Sequence, residues 1–425
     1  MPQIVKHMKI KDQKVYKEYN IKVVILGSGF AGVNVYQYLH KLVHGLGVSF
    51  YMISDVNYFQ FTPLLHEVAS GLLRPEDIIS PIRENINCCV GDFILDKVVS
   101  IDVDEKIVKL EHSSINFDYL VIATGASTNY RGIEGAKEYS YPLKTVDEAA
   151  ELKNKVISLF EEREEGSSNR EISIIVVGGG PTGIEVATEV SDLTDSLVPL
   201  YRSVKKENIK ISIFNATENF LNGFPDVLKR SVKHALERGR ISLRLDAAVQ
   251  KVENGTLVLK SGESVHFDLL IWTGGVSPNT PKMNLPGFDI TKRITVSQYL
   301  NLEGHECIFA IGDVSDIEDN PVPQLAQVAI DESKVCAYNI LQSIEKKPLV
   351  KYRKNLKGFL LSLGRFNAAS EVGSILFLGF PAWILWKFFY LSMMFGKGSK
   401  IKIVFDWFFD AFESRDLTKI DRNNK

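Results

Sequence analysis

An α/β fold made of two glycine-loop units of one design, the second set inside the first, is predicted by three observations in this 425-residue chain. A short apolar strand runs into the glycine-rich turn "GSGFAG" at Gly27–Gly32. The same grammar returns at "GGGPTG", Gly178–Gly183, again between a strand and a helix. Each unit is followed by a β-rich stretch that ends in a buried strand, "KVVSIDVDEKIVKLEHSSINFDYLVIATG" in the first and "QKVENGTLVLKSGESVHFDLLIWTGG" in the second. Together these form an internal repeat at the scale of a domain.

Taken in order, Ile21–Leu26 ("IKVVIL") is a β-branched apolar run of the kind that fills a parallel strand covered on both faces. The helical "VNVYQYLHKLV" follows the loop, and a second strand, "VSFYMIS", ends at Ser54. The second unit repeats this with "ISIIVV", the helical "IEVATEVSDL" and "IKISIFN", ending at Asn215. Alternating segments after each unit read as hairpin strands, with an Asn254-Gly255 turn in the second. The polar run Glu161–Glu171 reads as a solvated connection. Later come a strand running into Gly312-Asp313 and a helix over "QLAQVAIDESKVCAYNILQSI". The expected boundaries are an N-terminal extension at 1–20, a first domain at 21–142, a second at 143–280, the return of the first at 281–345, and a C-terminal region at 346–425.

Hydrophobic content of 45% and charged content of 24% are those of an ordinary globular protein, and a formal net charge of -2 argues against a nucleic-acid partner. The four Cys (Cys88, Cys89, Cys307 and Cys336) form no CxxC and no metal or disulfide spacing, so no metal is expected. Vicinal Cys88 and Cys89 read more plainly as two buried thiols than as a redox pair. The N-terminus has no apolar signal core, which places the body of the protein in a reducing cytoplasm.

In a GxGxxG turn the first Gly permits the tight bend, the second lets a phosphate approach the backbone, and the third lets helix and strand pack closely. The helix start then offers free N–H groups and partial positive charge to a pyrophosphate. The positions are Gly27, Gly29 and Gly32, with Phe30 and Ala31 between them, and Gly178, Gly180 and Gly183, with Pro181 and Thr182. One such loop can be a mere turn. Two, each in a strand–helix–strand setting, predict two Rossmann-like dinucleotide-binding domains, and two bound dinucleotides imply electron exchange between a flavin and a nicotinamide. Ala123, Thr124 and Gly125 end a strand of the first domain. Asp313, beside Gly312, is placed to accept hydrogen bonds from ribityl hydroxyls, or else is a helix N-cap.

With these motifs the chain resembles the two-dinucleotide-binding-domain flavoproteins, and more narrowly the type II NADH dehydrogenases, single-subunit NADH:quinone oxidoreductases that pump no protons. The likeness runs from about Ile21 to Leu417. Its narrower carriers are "NYFQFTPLLHEVASG", "SPIREN", "GGGPTGIEVATEV", "WTGGVSPN" and "AQVAID". It implies FAD on the first loop, with Thr62, Pro63 and Leu64 near the flavin, Val98, Thr124, Gly125, Leu325 and Ala326 around it, and Asp313 at the ribityl chain. It implies the nicotinamide cofactor on the second loop, with Gly274 and Gly275 closing over it. Glu185 would lie between the nicotinamide and quinone sites, and Gln327 would face the quinone. The hydride would pass from nicotinamide C4 to flavin N5, and two electrons then to the quinone, with Glu185 and Asp331 relaying protons. Three positions depart from the family pattern. Ser54, followed by Asp55, stands where an acid usually meets the FAD ribose. Asn215 replaces the acid that selects NADH, so NADPH becomes a possible second donor. Asp331 replaces a second Gln of the quinone motif.

The C-terminal stretch Gly379–Phe412 holds twelve aromatic residues and three of the four Trp. Gly379 and Pro381 cut its apolar run to a helix of about 15 residues, and Lys387 falls in the middle of it, so it is too short and too charged to span a bilayer. Ile401, Val404, Phe405, Phe408 and Phe412 share a helical face opposite Asp406, Asp410 and Glu413, and Lys397, Lys400 and Lys402 sit between the two parts of the tail, where anionic head groups could meet them. The expectation is an amphipathic helical anchor lying in the bilayer surface, a monotopic protein on the cytoplasmic face of the cell membrane; the plainer reading is a homodimer interface or core packing. Among enzymes the competing reading is a sulfide:quinone oxidoreductase, which needs a Cys pair at the flavin. A membrane-docked flavin redox sensor is the reading from another class.

Overall fold

The computed structural model describes residues 20–43, 47–86, 91–166, 170–356, 358–373, 375–394, 397–409 and 415–419. Cys88, Cys89, Asp410, Phe412 and Glu413 fall outside these, as does nearly all of the N-terminal extension.

The first unit is β1 (Ile21–Leu26), α1 (Phe30–Val43) and β2 (Val48–Ser54). A one-turn 3-10 helix at Thr62–Leu64 leads into α2 (Leu65–Ala69), and β3 (Gly91–Leu95) and β4 (Tyr119–Ile122) follow. The helix α3 (Val146–Glu165) then carries the chain to the second unit, with Thr145 and Glu148 closing a reciprocal capping box at its start. That unit is β5 (Ile172–Val177), α4 (Pro181–Leu197), β6 (Ile209–Phe214), α5 (Asp226–Arg238), β7 (Ile241–Arg244) and β8 (Leu269–Trp272). The chain returns through β9 (His305–Ala310) and α6 (Ala326–Ile344). It ends in an antiparallel sheet of β10 (Gly358–Ser362), β11 (Ala368–Val372) and β12 (Ile375–Leu378), then α7 (Phe380–Met393) and α8 (Lys397–Phe409).

Both helices after the glycine loops begin earlier than the apolar pattern suggests. The Val33 N–H donates to Gly29 O at 3.0 Å and the Ile184 N–H to Gly180 O at 3.1 Å, so the first turn closes over the glycines. Pro181 stands at the first helical position, where its missing N–H costs nothing. The polar run from Glu161 is helical as far as Glu165 rather than a loose connection, because Arg163 pairs with Asp268 at 2.7 Å and fixes that turn to the second domain.

The six-stranded sheet runs Asn301–Leu302, β9, β4, β1, β2, β3. The five-stranded sheet runs Tyr141–Pro142, β8, β5, β6, β7. The chain thus leaves the first sheet after β4, builds the second, and re-enters the first where β9 pairs with β4 in parallel. Val23–Leu26 have no solvent exposure at all. Strands buried this way need helices on both faces, which is why they read as unbroken apolar runs. The two units touch through an antiparallel pair, Ala126–Thr128 with Val276–Pro278.

The tail departs most from expectation. Trp386 and Ile403 have no exposure, and Trp407 is buried with them in the core. Lys387 is buried too, with its ammonium 2.6 Å from the carboxylate of Glu67. The lysines at 397, 400 and 402 lie within α8 rather than between two helices. Half of the tail is therefore core packing. The other half stays bare: Phe380, Ile384 and Phe388 on α7, and Ile401, Val404 and Phe405 on α8, are exposed, Phe388 by 71%. Among the described residues no helix is long and apolar enough to cross a membrane.

Candidate functional site

The two glycine loops are built alike and each leaves the same opening. A Cβ at Gly27, whose φ is +99°, would lie 2.3 Å from Ala123 O, and one at Gly32 would lie 2.0 Å from Gly27 O. A Cβ at Gly178 would lie 2.6 Å from Thr273 O, and one at Gly183 only 1.9 Å from Gly178 O. These four glycines are demanded by the protein's own backbone. Gly29 and Gly180 are not: a Cβ there meets nothing within 4 Å. A middle glycine with open space above it, at the start of a helix, leaves the room that a pyrophosphate needs. Both loops therefore fit a dinucleotide by their own geometry.

Around the first loop, the Ser54 hydroxyl is 2.9 Å from that of Ser28 and accepts from the Val56 N–H. Asp55, exposed at the end of β2, supplies the carboxylate of that corner. Leu64 is buried, and Thr62 and Pro63 are half-buried. Phe30 packs edge-on against Phe59, and Phe61 meets Tyr390 of α7 at 5.9 Å between centroids, which brings the tail to this loop. The Thr124 hydroxyl donates to Asn279 O at 2.7 Å, and the Asn279 amide donates back to Thr124 O. The "ATG" and "SPN" motifs are thus one interlock between the two domains. Val98 lies on the first domain's four-stranded side sheet, half-buried against the core.

Asp313 sits in the one-turn helix Gly312–Val314 without capping it, 3.4 Å from the Lys144 ammonium. Gly312 has φ +77°, and its N–H donates to the Glu332 carboxylate at 2.6 Å. Leu325 caps α6 through its carbonyl, with Ala326 at the first helical position. Gln327 donates to Gly358 O at 3.1 Å, at the head of β10, while the Ser362 N–H at the foot of β10 donates to Glu185 at 3.1 Å. At about 3.3 Å per residue those ends are roughly 13 Å apart, so β10 spaces Gln327 from Glu185. Asp331 pairs with Lys334 at 2.9 Å, and that ammonium lies over the Tyr38 ring of α1.

Just after β8, beside the Thr273 that meets the second loop at Gly178, Gly274 lies against Trp272, and Arg131 donates to Gly274 O at 2.6 Å. Asn215 has a role the sequence did not disclose. Its side-chain oxygen accepts from the Gly179 N–H at 3.1 Å, and its amide donates to the carbonyls of Thr217 and Asn219. A carboxylate at 215 would meet two carbonyl oxygens without a donor, so the local turn itself asks for Asn.

Two groups of residues escaped the sequence reading. One is Glu332, fully buried on α6. Burial pushes its carboxyl up to about 8, against the opposing pull of the Gly312 N–H, with Asp313 adding to the rise. A raised folded value means that the stability this group adds is complete below the unfolded value and is lost as pH climbs through about 8. Between those limits one extra bound proton costs ~1.4 kcal/mol per pH unit. Unfolding followed from pH 5 to 9 is expected to show this slope, and Glu332→Gln, which keeps the acceptor for Gly312, is expected to flatten it. The helical spacing of the acid beside Asp331 was a visible signal, but an acid on a helix gives no sign of its burial.

The other is the set of buried partners that α2, α4 and the tail bring around Glu185. Glu67 takes Lys387 on one oxygen and the Trp407 indole N–H, at 2.9 Å, on the other. Glu189 takes Arg415 at 2.6 Å and the Ser70 hydroxyl at 2.7 Å. Glu185, next along the same face of α4, lies 3.8 Å from His66 Nδ1. Burial raises the Glu185 carboxyl, with His66 opposing. Cys336 is buried and its thiol is pushed well up by burial, the opposite of a reactive thiolate.

The family model described as pyridine nucleotide-disulphide oxidoreductase matches residues 21–333. The chain is 28% identical to the probable NADH dehydrogenase of Dictyostelium discoideum, over 94% of this chain and 91% of that one. It is 27% identical to the type II NADH:quinone oxidoreductase Ndh of Mycobacterium tuberculosis, over 91% and 87%. Among solved structures, NDH2 from Plasmodium falciparum in complex with NADH superposes with a TM-score of 0.85 at 21% identity, covering 94% of this chain and all of that one. The sulfide:quinone oxidoreductase of Aquifex aeolicus superposes with a TM-score of 0.70 at 21% identity, covering 87% and 90%. At such identities the superpositions speak for the fold alone.

Proposed function

This chain belongs to the pyridine nucleotide-disulphide oxidoreductase family and is a type II NADH dehydrogenase, an NADH:quinone oxidoreductase, and from that premise we propose that it works through FAD, docked on a membrane surface, without moving protons across it. The observation that carries the reading is the pair of glycine cradles, each open only above its middle glycine. In this reading Gly27–Gly32 hold FAD and Gly178–Gly183 hold NADH, with Gly274 and Gly275 over the nicotinamide end. FAD, when bound, supplies the carrier that takes a hydride from the nicotinamide and returns two electrons to a quinone.

The residues of this chain position and protonate. Asp313 meets the ribityl hydroxyls, with Lys144 beside it. Thr124 and Asn279 hold the two domains in one orientation, which supplies most of what catalysis needs when the cofactor does the chemistry. Glu185, buried and raised, is the group that can give a proton to a reduced quinone, and Gln327 donates at the other end of β10. Asp331, committed to Lys334, is the weaker of the two acids for that task. The exposed aromatic faces of α7 and α8, with Lys400 and Lys402, support docking in the bilayer surface, where a lipid-soluble quinone is found. Asn215 puts no charge against a 2'-phosphate, so NADPH is accepted alongside NADH.

The test is direct. The purified protein should be yellow, should release FAD on denaturation, and should oxidise NADH only with a quinone or comparable acceptor. It should float with lipid vesicles. A flavin-free protein, or one whose flavin ignores NADH, overturns the reading; a protein that turns over but does not float overturns the docking.

A further inference from the structure

Six ionisable side chains meet in one buried cluster where α2, α4 and the C-terminal tail pack together. The acids are Glu67, Glu185 and Glu189, and the bases are His66, Lys387 and Arg415. None of the six side chains is more than 13% exposed. Glu67 and Lys387 touch at 2.6 Å, and this pair is neutral overall wherever its shared proton sits. Burial works against the charge of Glu189, but Arg415, with His66 and Ser70, outweighs it and holds the carboxyl below its ordinary range. That pair, too, is neutral overall. Glu185 and His66 remain, with no permanent cation of their own. If Glu185 is ionised and His66 neutral, the cluster carries one uncompensated charge in a dry interior, which costs several kcal/mol. One proton on the His66–Glu185 pair removes it.

We propose that His66 is the proton-holding partner of Glu185, and that the tail residues Lys387 and Arg415 fix the charge balance that keeps one proton on this pair. The inference rests on the reading of Glu185 as the acid that serves the quinone. The His66 ring is built for the task. Nδ1 faces Glu185 at 3.8 Å, and Nε2 is buried without a protein partner, edge-on to the Trp386 ring. An imidazole with one nitrogen towards the acid and the other free can take a proton at one end and give it at the other. When Glu185 Oε2 gives its proton away, a proton taken up at His66 Nε2 releases the one on Nδ1 towards Glu185, so the pair again holds one proton; the ring, left with its N–H on Nε2, regains the Nδ1–H form by tautomer exchange before the next turnover. Every charged or titratable neighbour counts in this balance. On α2 it is Glu67, on α4 Glu189 and Asp192, on α7 Lys387 and Tyr390, and on the C-terminal segment Arg415, with the Lys153–Asp416 pair behind it. Asp192 also contacts Arg415, and burial brings its carboxyl up to about 6. It lies at the cluster's wetter edge, with 29% of its side chain exposed.

Charge-changing variants test this by the direction of their shifts. The readouts are FAD content, flavin reduction by NADH in a stopped-flow instrument, and the pH profile of flavin reoxidation by a short-chain quinone. His66→Asn, which keeps a polar side chain but holds no extra proton, is expected to retain FAD and normal flavin reduction. Its reoxidation should fall about tenfold, and the alkaline limb should move up from its wild-type position, because Glu185 then titrates alone without the opposing His66. Arg415→Gln leaves one more carboxylate uncompensated, so the proton is held more tightly and the alkaline limb moves up. Glu189→Gln frees Arg415 to stabilise ionised Glu185, so the limb moves down. The proposal is overturned if His66→Asn keeps the wild-type profile, or if Arg415→Gln and Glu189→Gln shift the limb the same way. Should flavin reduction by NADH itself fail in wild type, it is the underlying functional reading that falls. Where Arg415→Gln folds poorly, Arg415→Lys is expected to restore the wild-type limb, which a mere packing role would not require.

Discussion

Lys387→Met is expected to destabilise the folded protein by about 3–5 kcal/mol, the range found when one partner of a buried ion pair is removed. The variant leaves Glu67 in the core with the Trp407 indole as its remaining donor. The double variant Lys387→Met, Glu67→Gln should recover most of the loss, since the amide oxygen still accepts from Trp407 and no charge is left behind. Urea unfolding of the three proteins measures this. A lysine that merely interrupts a lipid-facing helix gives the opposite result, because Met there would be neutral or stabilising. The outcome therefore separates a tail folded into the core from one that lies wholly in the membrane.

Gly29→Ala and Gly180→Ala are expected to fold with near-normal stability and each to damage one cofactor site. Neither position has a positive φ, and the added methyl meets no protein atom within 4 Å. In the proposed reading it stands where the phosphates of FAD and NADH would come. Forcing a methyl into a packed contact costs about 1–3 kcal/mol, so affinity should fall by roughly one to two orders of magnitude. Gly29→Ala should be isolated with little flavin and refill only at high FAD concentration. Gly180→Ala should stay yellow and show a raised KM for NADH with quinone reduction of a chemically reduced flavin intact. Gly32→Ala and Gly183→Ala serve as controls: their methyls would press on backbone oxygen at 2.0 and 1.9 Å, and those variants should fold poorly or not at all. If all four variants lost stability alike, the loops would be packing devices and not cradles.

How far the sequence could be read follows from the range of the forces involved. Both glycine loops were legible because their constraints are local: a tight bend, a helix start and a strand of unbroken apolar residues lie within a dozen positions of one another. β1, β2 and β5 fall where their apolar runs begin and end. The inward path of the tail was not legible, because its cause is a contact between Lys387 and Glu67, 320 positions apart. A lysine in an apolar run gives no sign of whether its partner is water, lipid or a distant acid. Asn215 is a similar case. Its place at the end of β6 was read correctly, but its side-chain hydrogen bonds belong to a turn whose shape the residue types do not announce. His66 and Glu67 stood in a motif quoted for its resemblance, yet the charge cluster they join draws on four separate segments. On the helix α4 the spacing of Glu185 and Glu189, one turn apart, was the available clue, and it reads equally well as a solvated face.

The most direct measurement is an anaerobic double-mixing stopped-flow record of the flavin at one wavelength. The first mix adds NADH in one equivalent and the second adds a quinone. The expected trace is rapid bleaching on the first mix and full recovery of the yellow colour on the second, with sulfide unable to replace NADH. A flavin that bleaches with sulfide but not with NADH, or that NADH bleaches and no quinone restores, would contradict the assignment of the two cradles and the path of electrons between them.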